Sequence, residues 1–63
     1  MKVLLKETLL GFDLFVTDEV AFYIMADGVV LERLKGFANA EQAMQVAKKR
    51  AEVLWESWRN RRA

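Results

Sequence analysis

The sequence predicts an α+β fold: an antiparallel three- or four-stranded β-sheet, arranged as a meander, with one long C-terminal α-helix packed on one face. Three observations lead there. Ala40, Ala43, Met44, Ala47, Ala51, Leu54, Trp55 and Trp58 fall within an arc of about 120° at 100° per residue, the stripe of an amphipathic helix. Residues 12–17 and 20–26 are rich in β-branched and aromatic side chains, the composition of half-buried strands. Between residues 20–26 and a third such run, 29–35, lies Asp27-Gly28, a pair favoured in type I′ hairpin turns.

The helix has its own start and stop signals. Asn39 is an N-cap residue type, Gln42 stands three positions later where a capping box needs it, and Glu41 falls in the first turn. Arg59, Arg61 and Arg62 suit the negative end of the helix dipole. The first run, residues 3–10, is the least regular. Val3, Leu5 and Leu9 alternate against Lys6 and Thr8, which reads as a strand, although its leucines also suit a short helix. Gly11 marks a turn or bulge after it.

Length limits what such a chain can do alone. The 63 residues make one domain, 1–63, and a chain of this size buries only about 60% of the surface its unfolded form exposes. Small domains usually add a disulfide, a metal or another subunit. With no Cys and no His, the first two are unavailable, so no cofactor or metal is expected and association is the remaining route. The composition, 54% hydrophobic, is too apolar for a disordered tail. No uncharged stretch approaches the roughly 18 apolar residues of a membrane span, and the first residues carry no signal-peptide pattern. The expectation is a cytoplasmic protein with no membrane partner.

The hairpin turns give an expected register. Asp27-Gly28 pairs Met25 with Val30, Ile24 with Leu31, Tyr23 with Glu32 and Phe22 with Arg33. A two-residue turn at Asp18-Glu19 pairs Phe15 with Phe22 and Leu14 with Tyr23. Side chains alternate between faces. One face then carries Phe12, Leu14, Val16, Ala21, Tyr23, Met25, Val30 and Leu34, with Glu32 its one charge, and is assigned to the helix. The other carries Phe15, Val20, Phe22, Ile24, Val29 and Leu31, bordered by Asp13, Thr17, Arg33 and Lys35. Leaving six large apolar side chains in water would forgo on the order of 10 kcal/mol, comparable to the whole stability of a small domain. Such patches mark interaction sites, and a homodimer packing sheet against sheet is expected.

Helix length points to a second contact region. As a helix, residues 40–62 span about 34 Å, against about 23 Å for a seven-residue strand. About two turns should overhang the sheet, carrying Trp55 and Trp58 together with Arg59 and Arg62. Trp and Arg are the residue types enriched at binding hot spots. The plainer reading makes the two Trp residues a lid on the rim of the core.

Catalysis is not expected. Without His or Cys the usual general base, thiol nucleophile and transition-metal ligands are missing. Asp13, Asp18, Glu19 and Asp27 could be gathered by the fold, but several sit where turns favour acids anyway. Two function classes remain. The first is a small homodimeric accessory protein, an inhibitor for example, that binds or blocks another protein through the open face and the Trp/Arg end of the helix. The alternative is nucleic-acid binding through Arg33, Lys35, Arg59, Arg61 and Arg62. Charge is compatible with both: residues 1–32 carry two Lys against six acids, and residues 33–63 carry eight basic groups against three acids.

Overall fold

In the computed structural model, which describes residues 2–62 and side chains through residue 60, the chain forms four strands and one helix. These are β1 (Val3–Leu9), β2 (Phe12–Thr17), β3 (Phe22–Ala26), β4 (Val29–Leu34) and α1 (Ala40–Arg62). The strands form one antiparallel sheet in the order β1-β2-β3-β4, so the expected meander has four strands and residues 3–9 extend it. Among the described residues, no helix is long and apolar enough to cross a membrane.

Three turns of two kinds connect the strands. Asp27 and Gly28 have φ of 52° and 76°, both left-handed as a type I′ turn requires. Leu10 and Gly11 repeat the pattern at 55° and 84°, with Leu9 opposite Phe12. The β2–β3 turn departs from expectation. It has three residues, Asp18-Glu19-Val20: the Val20 N–H donates to the Thr17 carbonyl at 2.9 Å, and the Thr17 N–H donates to the Ala21 carbonyl at 2.9 Å. Val20 takes φ 55°, the left-handed position where a three-residue hairpin usually has glycine.

That extra residue corrects the register. Phe15 pairs with Tyr23 and Leu14 with Ile24, where a two-residue turn would have paired Phe15 with Phe22 and Leu14 with Tyr23. Because the side-chain period is two, the slip moves all of β3 to opposite faces. A bulge corrects β4 as well. Met25 pairs with Val30 as expected, but Ile24 pairs with Glu32, Tyr23 with Arg33 and Phe22 with Leu34. Leu31 is the additional residue, opposed to none of its own.

The helix therefore covers Phe12, Leu14 and Val16 of β2, as expected, together with Phe22 and Ile24 of β3 in place of Tyr23 and Met25. Against them α1 sets Ala43, Met44, Ala47 and Ala51, all buried. The alanines at i, i+4 and i+8 leave room for the two large phenylalanines beneath a close-lying helix. Phe37, in the link before α1, lies 5.5 Å from Phe22 between ring centroids. The cap forms with Asn39 Oδ1 accepting from the Gln42 N–H at 2.8 Å; Gln42 Oε1 accepts from the Ala38 N–H, also at 2.8 Å.

Candidate interaction surface

The sheet face away from α1 carries a row that runs across all four strands. Lys6 is opposite Phe15, Phe15 opposite Tyr23, and Tyr23 opposite Arg33. Two aromatic rings thus lie between two cations, and the Lys6 ammonium sits 5.5 Å from the centroid of the Phe15 ring. The next row holds Thr8, Asp13, Met25 and Val30. On the other side of the aromatic row, Val3 pairs with Thr17. Val3, Phe15, Thr17, Tyr23, Met25 and Val30 surround a shallow hollow of about 340 Å³. Thr17 is buried, and its Oγ1 has no hydrogen-bond partner among the described residues.

The residues expected at an interface are distributed differently from expectation. Phe15 is on the open face. Phe22 and Ile24 are corrected to the core, both fully buried, because the three-residue turn rotated β3. Val20 is half-buried and packs against the core from the turn. Val29 is 58% exposed beside the Asp27-Gly28 turn, and Leu31 stands exposed at the bulge. Arg33 lies on the open face opposite Tyr23, and the exposed Lys35 borders a shallow groove with Glu19, Ala21, Tyr23, Arg33 and Leu34. The side chains of Arg61 and Arg62 lie outside the described residues.

Val3, Lys6, Tyr23, Met25 and Val30 were missing from the expected surface. One signal could have found Tyr23 and Met25: β3 alternates Phe22 and Ile24 with Tyr23 and Met25, and the phenol favours the face with access to water. Nothing comparable marked Val3 or Lys6, whose strand carries leucines on both sides of the pleat.

The far end of α1 combines the two readings given for it. Trp58 does not project wholly beyond the sheet: its ring meets Phe12 edge-on, with centroids 5.3 Å apart and planes at 61°. Leu54 packs against the core as well. Trp58 therefore roofs Phe12 while remaining 40% exposed, and Trp55 is exposed beside it. Arg59 pairs with Glu56 at 3.6 Å. Trp58 belongs to both the lid and the accessible surface.

Two ion pairs anchor the middle of α1 across the sheet. Lys48 reaches Glu7 of β1 at 2.8 Å. Arg50 grips Glu32 of β4 with a fork, Nε to Oε1 at 2.7 Å and Nη2 to Oε2 at 3.1 Å. The hydrogen bond to Glu32, reinforced by its charge, raises the Arg50 pKa against a smaller opposing effect of desolvation. The bulge at Leu31 is what turns Glu32 toward Arg50, by setting it opposite the buried Ile24. One covered face and one open face are thereby fixed.

The acids do not assemble a centre. Asp13 is on the open face, Asp18 and Glu19 are in one turn and Asp27 is in another; among the described residues, no three acidic side chains gather as a metal site would need. Compared with family models, curated proteins and solved structures, the chain has no significant match in any of the three.

Proposed function

We propose that this chain is a small non-enzymatic protein-interaction module that pairs with a second copy of itself through the open sheet face. In that form it binds or blocks another protein, using the exposed Trp/Arg end of α1. The observation that carries this reading is the hollow bounded by Val3, Phe15, Tyr23, Met25 and Val30, which α1, packed on the opposite face, leaves uncovered. Contiguous exposed apolar surface of this kind marks interaction sites in small proteins. Burying such side chains stabilises by roughly 1.5–3 kcal/mol each, a large increment for a domain of this size. Size-exclusion chromatography with light scattering tests it: the reading expects twice the chain's 7.3 kDa at micromolar concentration, and a clean monomer contradicts it.

A second reading has one specific observation in its favour. The row Lys6, Phe15, Tyr23, Arg33 alternates stacking surfaces with cations, an arrangement suited to single-stranded nucleic acid. Lys35 adds charge beside it. A gel-shift titration at two salt concentrations distinguishes the readings, because phosphate contacts weaken steeply with added salt. The apolar hollow beside the row favours the protein partner.

A further inference from the structure

Resting on the proposed pairing through the open face, the geometry points to one arrangement of the two copies: the sheets cross near a right angle about a twofold axis through Phe15. The reason lies in two offsets from that residue. Lys6 is its neighbour one strand across, about 4.8 Å away in the sheet plane, and Asp13 is two residues along the same strand, about 6.8 Å away. These offsets are perpendicular in direction and differ by about 2 Å, a gap that flexible side chains such as Lys span. A twofold axis running between the stacked sheets, along the diagonal of those two directions, exchanges them. Phe15 of one copy then meets Phe15 of the other. Lys6 of each copy comes to lie over Asp13 of the other, giving two symmetric ion pairs around an aromatic centre. Near-perpendicular stacking is one of the two preferred ways for sheets to pack, and an isologous contact is the usual form of a homodimer.

One further feature fits the same operation. It carries Arg33, two strands beyond Phe15 on the other side, toward the Asp18-Glu19 turn at the end of the other copy's β2. Parallel alignment of the strands, with the twofold along them between β2 and β3, lays Lys6 over Arg33 and gives none of these matches. Charge complementarity thus selects the crossed arrangement, and electrostatic matching of this kind sets register and partner choice more than it sets raw affinity.

The test is a charge exchange between two variants, followed by sedimentation equilibrium on the full chain. Lys6→Asp sets Asp over Asp in its own homodimer, and Asp13→Lys sets Lys over Lys. Each variant alone is expected to dimerise at least tenfold more weakly than wild type. An equimolar mixture regains wild-type affinity as a heterodimer, because every opposed pair is then complementary. Circular dichroism of each variant verifies folding; should either unfold, Lys6→Gln and Asp13→Asn take their place, each homodimer losing both ion pairs and weakening by a smaller factor, while their mixture regains one of the two pairs and binds more tightly than either homodimer. A wild-type dimer that neither variant weakens, or variants that weaken without recovery on mixing, overturns the crossed arrangement and leaves pairing through the face intact. A monomeric wild type overturns the pairing itself.

Discussion

Phe15 lies opposite Tyr23 in the sheet, and that pairing decides which apolar surface the protein hides and which it offers. With Tyr23 on the open side, its neighbours Phe22 and Ile24 turn under α1 and become fully buried. The two phenylalanines, Phe15 and Phe22, are therefore expected to behave as different kinds of residue.

Phe22→Ala removes a fully buried ring and its contact with Phe37. A loss of about 3–5 kcal/mol is expected, which approaches the entire stability of a domain this short. Much of the variant should be unfolded at 25 °C by circular dichroism. Phe15→Ala, on the open face, should stay folded and change stability by no more than about 1 kcal/mol when association is absent. Equal destabilisation by the two substitutions would contradict the register.

Leu10 is a leucine in a left-handed conformation, φ 55°, and 43% exposed. A leucine in this region costs roughly 1–2 kcal/mol that asparagine largely avoids, and Asn-Gly is the preferred pair for this turn. Leu10→Asn should therefore stabilise the chain by about 0.5–1 kcal/mol. The urea midpoint should rise with an unchanged slope.

The fork between Arg50 and Glu32 should matter more than the pair of Lys48 with Glu7. Glu32 is only 19% exposed, so Arg50→Ala leaves a half-buried carboxylate without its partner. The Lys48 pair is open to water on both sides, and Lys48→Ala should cost about 0–1 kcal/mol. Urea titrations of the two variants should rank Arg50→Ala as the more destabilised, and Arg50→Lys should not restore the two-pronged contact. The raised Arg50 pKa means that its contribution is complete below the ordinary guanidinium value. It is lost only as pH rises through the raised value, far into alkali. The difference between wild type and Arg50→Ala should stay flat through neutral pH.

Trp58 and Trp55 should separate in the same way. Trp58→Ala strips the edge contact from Phe12, and about 1–2 kcal/mol of destabilisation is expected from a half-exposed ring that roofs the core. Trp55→Ala should be smaller. Thermal unfolding of the two variants checks the order.

How much of this was legible in the sequence can be traced to particular residues. The helix was legible throughout, because Ala43, Ala47 and Ala51 keep helical period and Asn39 with Gln42 carries the capping chemistry. The Asp27-Gly28 hairpin was legible because only a few residues tolerate φ > 0 at both central positions. The β2–β3 turn was not. Its left-handed position is occupied by Val20, a β-branched residue that ordinarily avoids that region, so no glycine announced the third residue. The Leu31 bulge was equally silent, since Val29-Val30-Leu31 reads as an uninterrupted strand. One unmarked turn residue was enough to exchange Phe22 and Ile24 with Tyr23 and Met25 between the faces. At the end of α1 the lid reading holds for Trp58, whose ring meets Phe12; helix length says how far the element reaches, but not which of its side chains fold back on the core.

We propose that the face carrying Phe15 and Tyr23 joins two copies of the chain. Sedimentation equilibrium of the wild type and of Phe15→Asp, each over a range of micromolar concentrations, measures this. A wild-type mass twice the 7.3 kDa of the chain and a folded monomer for Phe15→Asp are expected. A wild type that sediments at 7.3 kDa across the range, or a Phe15→Asp variant that dimerises as tightly as wild type, would contradict it.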